Sequence, residues 1–478
     1  MHVTLVSNSP AWRTTAIYVL RPANRLASPQ LIRWLWLIHS TTLGVNTSLS
    51  AKSEWRSFWV LPVASAFGYS TAVLHSYSLG PFIEPLQRDF GWSRAQISVG
   101  ITVAGVVAAI FSVPIGLLVD RVGPRPIGLT GVLLMTAAFA LFGTATGDTT
   151  NWLLLWSLLA FANLWLQATV WTSAVASRFE QSRGLAFAVT LSGASVAATV
   201  FPLLATWLIR DYGWRNAFMA MGAIWAALVF PILFLFFRSA RDEAISRARS
   251  ASKDGRATGP GPVSPESGPV LASEEARSLA TGMSVREGFR SPALYQLVLA
   301  AGLFTLTALG IIVHFVPILK DAGADPLAAA GIASLVGVFS VLGRLGTGML
   351  LDRIPGHLVG ASVFLLPILA CALLYLYGAQ PLSQSVAAAI FGLTVGAEVD
   401  VIAYLASQHF GLKNFGVFSG TMIGALALGA AFGPLAAGAA YDHYGSYKQF
   451  LLLTMVCMGA SSVLLATLRR PGFAVRRH

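Results

Sequence analysis

Charge is scarce in this chain. Asp, Glu, Lys and Arg make up 11% of its 478 residues, where a soluble domain carries about 25%. With 55% hydrophobic residues and a mean hydropathy of +0.68, most of its surface has to meet lipid. Cysteine is scarcer still. Cys371 and Cys457 are the only two, both inside apolar runs, which argues against a disulfide framework or a metal site. The sequence has no His/Cys cluster, no triad spacing and no Walker-type lysine loop. No metal, cofactor, enzymatic chemistry or ATP-driven pumping is therefore expected. The net charge of +12 does not read as a nucleic-acid surface, because the basic residues sit in the loops that flank apolar runs.

Those runs are what the chain has in quantity. Twelve of them fall at about 58–82, 96–119, 126–146, 152–176, 184–209, 215–237, 294–318, 325–351, 357–378, 383–408, 415–441 and 447–468. Each is long enough as a helix to cross ~30 Å of hydrocarbon. The last six repeat the first six at an offset of 232 residues. Gly116, Asp120 and Arg121 return as Gly348, Asp352 and Arg353. Gly184, Pro202, Tyr212, Gly213 and Phe218 return as Gly416, Pro434, Tyr444, Gly445 and Phe450. A parallel repeat of six spans is one way secondary transporters are built. The expected fold is an all-α membrane protein of twelve transmembrane helices in two pseudo-symmetric six-helix bundles.

The expected organisation has five parts. Residues 1–57 form a disordered or interfacial extension, in which Arg21, Arg25 and Arg33 break up any signal-like apolar stretch. Residues 58–237 form the first bundle. Residues 238–293, rich in Ser, Gly, Pro and charge, form a disordered tether. Residues 294–468 form the second bundle, and 469–478 a basic tail. Loops on the tether's side, the tether and the tail carry 19 Lys and Arg, against 6 in the opposite loops. The positive-inside rule then places tether and both termini in the cytoplasm of a multi-pass inner-membrane protein.

The segment GLLVDRVGPR, residues 116–125, closes the second span and turns into the third. Its pattern of Gly116, Asp120, Arg121, Gly123 and Arg125 resembles the signature loop of the major facilitator superfamily. The copy containing Gly348, Asp352 and Arg353 departs from it, with Pro355 in place of Gly and His357 in place of Arg. The resemblance covers nearly the whole chain and implies that these loops latch the carrier between inward-open and outward-open states. The segments 76–98, 183–195 and 396–416 resemble bacterial members of the monocarboxylate transporter family and their oxalate/formate-type neighbours, a group that carries small organic anions.

Arg344 stands inside span 8 and is the only Lys or Arg placed well within a span. A guanidinium at mid-depth costs ~2.5 kcal/mol or more, so it needs an anionic partner. Its planar fork matches a carboxylate. The monocarboxylate resemblance implies the same, since that family's substrate arginine precedes a glycine by four, as Arg344 precedes Gly348. The family's eukaryotic members carry an aspartate one turn before this arginine, where this chain has Ser340. No acid one turn away pairs with Arg344, so an incoming carboxylate is expected to be its partner. The alternative is an arginine that reaches the membrane face or braces Asp352.

Glu398 and Asp400 near the middle of span 10 are costly unless neutral, paired or facing water. Two residues apart, they point in opposite directions, so one is a proton carrier and the other a brace, or both are structural. The family's lysine in the outer part of span 1 is missing. His75 beside Tyr77, or His314 in span 7, could receive a proton in its place. Either histidine is more often a hydrogen-bonded helix-packing residue. Asn163 and Gln167, four apart in span 4, would share a cavity-lining face or hydrogen-bond across helices. The expected activity is secondary active transport of a small monocarboxylate or related organic anion, with proton coupling, by alternating access. Its expected partners are that anion, protons and the bilayer, with no obligate protein partner and no nucleic acid. An efflux carrier of the same fold or a non-transporting membrane sensor are the alternatives.

Overall fold

A computed structural model describes residues 51–468 except 180, 240–281, 352 and 412–413. The first part of the N-terminal extension, most of the tether and the C-terminal tail thus lie outside the described residues. The helices are α1 (Ala51–Phe58), α2 (Val60–Ala72), α3 (Leu74–Phe90), α4 (Arg94–Val122), α5 (Pro124–Leu141), α6 (Thr149–Leu164), α7 (Ala168–Ala176), α8 (Arg183–Leu191) and α9 (Gly193–Phe236). After the tether come α10 (Val285–Arg290), α11 (Pro292–Asp321), α12 (Pro326–Leu351), α13 (Gly356–Tyr377), α14 (Pro381–Phe410), α15 (Phe415–Tyr444) and α16 (Lys448–Ala466).

Among the described residues, ten segments are long and apolar enough to cross a membrane, and the bent pair of α1 with α2–α3 adds an eleventh. The segment Arg183–Phe236 runs for 54 residues, about 80 Å at 1.5 Å per residue, too long for one crossing. It turns back at Gly213, which has φ 76 and ψ 161. Only glycine takes that conformation without strain, and its repeat partner Gly445 also has a positive φ of 65. Reading the segment as two crossings brings the count to twelve.

Buried apolar residues gather in separate cores. One is drawn from Leu61 to Phe237, with Val313 added. Two others lie wholly within Leu294–Leu468. Large apolar side chains such as Leu382, Val456 and Leu376 stand exposed on the outer faces of the helices. That is the surface a lipid-embedded bundle presents, since its backbone polar groups are already paired within helices.

Two short helices lie at the ends of the stretches read as N-terminal extension and tether. In α1, Glu54 is buried and accepts from the backbone N–H groups of Gln181 and Ser182 at 2.9 and 3.0 Å and from the Ser182 hydroxyl at 2.8 Å. Trp55 packs on Phe179 at 5.3 Å. The end of the tether does the same in the second half. Met283 N–H donates to Phe410 O at 2.9 Å, Asn414 Nδ2 donates to Met283 O at 2.8 Å, and a capping box of Ser284 and Glu287 opens α10. Adding 232 to 51–58 gives 283–290, and adding it to 179–182 gives 411–414. Each half therefore begins with a short strut against the loop between its own fourth and fifth spans. Composition hides the strut because its partners lie more than a hundred residues away.

Candidate functional site

On the side opposite the tether, the two halves meet in a cluster of charged residues. Arg94, at the start of α4, forks onto Asp321 at the end of α11, with Nη1 at 2.7 Å and Nη2 at 3.2 Å. Its Nη1 also donates to Tyr447 Oη at 2.8 Å, its Nε to Gln87 at 3.0 Å, and its guanidinium lies 3.5 Å from the Tyr441 ring centre. From the other half, Asp442 accepts from the first two backbone N–H groups of α4, Arg94 at 2.9 Å and Ala95 at 2.8 Å. A carboxylate at a helix N-terminus satisfies otherwise orphaned donors and favours the dipole. Gly438 lies so close to this turn that a Cβ would come within 2.7 Å of Ala95 N. Lys320 pairs with Glu84, which also holds Arg88 at 2.8 Å. A cavity of about 220 Å³ remains between these pairs, lined by Glu84, Arg94, Lys320 and Asp321.

His314 belongs to this seal. It is fully buried, with Nδ1 2.7 Å from Tyr447 Oη and Nε2 3.0 Å from Pro434 O and 3.1 Å from Ser98 Oγ. A carbonyl can only accept, so Nε2 carries the hydrogen and Nδ1 accepts from Tyr447. Both nitrogens are occupied by packing partners, so of the two readings given for His314 the contacts favour helix packing.

Deeper in the molecule, Arg344 on α12 faces Asp400 on α14. Its Nη1 lies 3.2 Å from Oδ1 and 3.3 Å from Oδ2, with the arginine side chain 11% and the aspartate 33% exposed. The expectation of a cation without an acid partner is thus corrected. The partner sits 56 residues away on another helix, beyond a search one turn up the same helix. The pair uses one guanidinium nitrogen only. Arg344 Nε is buried with no hydrogen-bond partner. Tyr69 on α2 and Tyr77 on α3 lie within electrostatic reach of Arg344, and Tyr77 also of Glu398. Both tyrosines belong to the other half; sequence reasoning missed Tyr69 for want of any charge or motif around it.

Glu398 points away from Asp400, as their two-residue spacing requires. It is buried, and Thr305 Oγ1 on α11 meets its Oε1 at 2.5 Å. Ser340, where the resemblance puts an acid, donates to Ser195 Oγ on α9 at 2.6 Å and joins the halves. His75 is two residues from Tyr77 and faces elsewhere. It packs edge-on against Trp156 at 5.9 Å within its own half, and its Nδ1 has no partner. Asn163 and Gln167 do not share a helical face. The fourth span breaks between α6 and α7, and Gln167 caps α7 with φ −51 and ψ 147. Asn163 Oδ1 is left buried and unpaired at the break. Neither glycine nor proline marks that break in the sequence.

In the loop 116–125, Gly123 has φ 98 and Pro124 opens α5, which makes a tight turn. Arg125 Nη2 donates to Phe234 O at 2.8 Å, within its own half. Arg121 and Arg353 are exposed. Asp352 and the side chain of Asp120 lie outside the described residues.

The sequence profile of the Major Facilitator Superfamily matches residues 65–434, and the chain belongs to that family of membrane transporters. It is a multi-pass carrier and not an enzyme. Monocarboxylate transporter 13 of Rattus norvegicus is 26% identical over 416 residues, covering 86% of this chain and 88% of the relative. In fold, the chain is similar to a D-xylose–proton symporter, with TM-score 0.65, 13% identity, and 86% and 97% of the two chains covered. It also resembles a bacterial homologue of the human lysosomal transporter Spinster in an inward-facing, unoccupied conformation, with TM-score 0.57, 17% identity, and 86% and 95% covered.

Proposed function

We propose that this carrier moves a small monocarboxylate or related organic anion across the inner membrane, with proton coupling, by alternating access of two six-helix bundles. The observation that carries the reading is Arg344: a nearly buried guanidinium, held by one nitrogen, with a free Nε. A buried donor without an acceptor is costly, and a carboxylate of the solute supplies two acceptors in the plane the fork offers. Tyr69 and Tyr77 of the first bundle lie within electrostatic reach of Arg344. The similarity to a monocarboxylate transporter over most of both chains points to the same substrate class. Glu398 and Asp400 are the acids at hand for a proton. The loops at Gly116–Arg125 and Gly348–Arg353 act as latches on the tether side, which faces the cytoplasm with both termini.

Uptake of acetate, lactate and pyruvate into proteoliposomes under an imposed pH gradient tests this reading. Wild-type protein should accumulate at least one of them, and Arg344→Ala should abolish that uptake while the protein still folds and inserts. Near wild-type uptake by Arg344→Ala would sink the carboxylate reading in favour of a carrier for neutral or cationic solutes.

A further inference from the structure

The two faces of the molecule satisfy their cations differently. On the sealed side Arg88, Arg94, Arg210 and Lys320 each pair with a carboxylate. On the tether side the struts carry Lys52, Arg56, Arg286 and Arg290, all exposed. None of these four has an ion pair or side-chain hydrogen bond among the described residues. We infer that α1 and α10 are docking surfaces for anionic phospholipid of the leaflet on that side, with these four cations on its headgroup phosphates. The spacing sets the charges outward. Lys52 and Arg56 are one turn apart and share a face of α1. Glu54 lies about 200° from each, where it is buried against the loop of its own half. Arg286 and Arg290 stand the same way on α10. Between them Gly288 turns inward, so close to Phe418 of α15 that a Cβ would come within 2.1 Å of the ring.

Their position is that of interfacial helices. α1 bends by 62° from the span that follows it, so with that span crossing the bilayer α1 lies nearer the membrane plane than its normal. α10 leads into α11 with Ser291 alone between them. Beside the charges stand exposed Trp59, between α1 and α2, exposed Phe289 on α10, and exposed Tyr295, whose hydroxyl donates to Phe289 O at 2.9 Å. Trp and Tyr settle at headgroup depth, and a basic helix with aromatic neighbours binds an anionic membrane surface through both. The rings decide between ligands of the same charge. A soluble phosphate would meet the cations and leave the rings in water, whereas a lipid covers both. Charge decides between lipids. The two acids of the struts are already engaged, Glu54 with the loop and Glu287 in the capping box of α10. The outward face is therefore cationic, and a zwitterionic headgroup brings a cation of its own against it. Each strut grips the loop between the fourth and fifth spans of its half, so the lipid holds both loops to the membrane face.

The test uses the full-length protein in detergent with equal amounts of phosphatidylglycerol and phosphatidylcholine, and native mass spectrometry counts the lipids retained. Each cation near an anionic surface is worth about a fivefold preference. Wild type should therefore retain phosphatidylglycerol over phosphatidylcholine by roughly tenfold or more. Lys52→Gln, Arg56→Gln, Arg286→Gln and Arg290→Gln combined should cut that preference by about tenfold. Lys52→Arg, Arg56→Lys, Arg286→Lys and Arg290→Lys combined keep the charges and should keep the preference, which separates lost charge from a damaged fold. Arg210→Gln with Lys448→Gln, on the sealed side, should keep it too. Glycerol 3-phosphate in excess should not displace the lipid. Equal retention of the two lipids by wild type, or a wild-type preference in the four-glutamine variant, overturns the inference. So does an equal loss in the sealed-side pair, or displacement by glycerol 3-phosphate. None of these readouts depends on which solute the carrier moves.

Discussion

At Arg344 the charge and the shape of the side chain do separate jobs. Lysine in its place keeps a cation opposite Asp400 but has no second in-plane donor. Arg344→Lys should therefore raise the half-saturating carboxylate concentration roughly ten- to a hundredfold, the equivalent of about 1.5–3 kcal/mol for one lost charge-assisted hydrogen bond. Thermal stability without substrate should change little, because the pair with Asp400 survives. An affinity within twofold of wild type, measured by substrate-induced stabilisation, would show that the fork is idle. The sequence made Arg344 legible because an arginine inside an apolar span is conspicuous. Asp400 was visible as a costly acid, but its pairing was not, since the contact joins α12 to α14 and no local spacing encodes it. Tyr69 was invisible, being one tyrosine among 11.

Among the elements, α4 carries the seal. Its first turn is capped twice, by Ser93 and Gln96 of its own half and by Asp442 of the other half, and its Arg94 side chain forks onto Asp321. The Arg94 side chain is 8% exposed and Asp321 35%, so removing the guanidinium costs the sealed state about 2 kcal/mol, below the figure for a fully buried pair. That corresponds to roughly a thirtyfold shift of population. Arg94→Gln, in a background lacking Cys371 and Cys457, should speed the reaction of Ile312→Cys with an impermeant thiol reagent added from the sealed side. Ile312 lines a small cavity beside Tyr77 and beneath the charged residues. An unchanged rate would mean that apolar packing alone closes this face. In sequence Arg94, Glu84, Lys320 and Asp321 read as ordinary loop charges, because charge counting sums a side without pairing its members. The span boundaries themselves were legible from the apolar runs, whereas the interruptions at Val73 and at Trp165–Gln167 had no glycine or proline to announce them.

For the whole molecule, the orientation of the carrier is open to direct measurement. Cysteines introduced singly at Asp148 and Arg470, again with the native pair removed, should react with impermeant reagent from opposite faces of the membrane. Asp148 caps α6 on the sealed side, and Arg470 belongs to the basic tail. Reaction of both from one face would refute the topology with cytoplasmic termini.

The struts α1 and α10 bear on the extent of the repeat. They share the 232-residue register of the spans, and each grips a loop of its own half. The repeat therefore extends beyond the membrane portion and takes in the strut. The contacts differ, with a glutamate side chain doing in one copy what backbone and asparagine do in the other. The two struts share a register and a task while differing in the groups that carry it out.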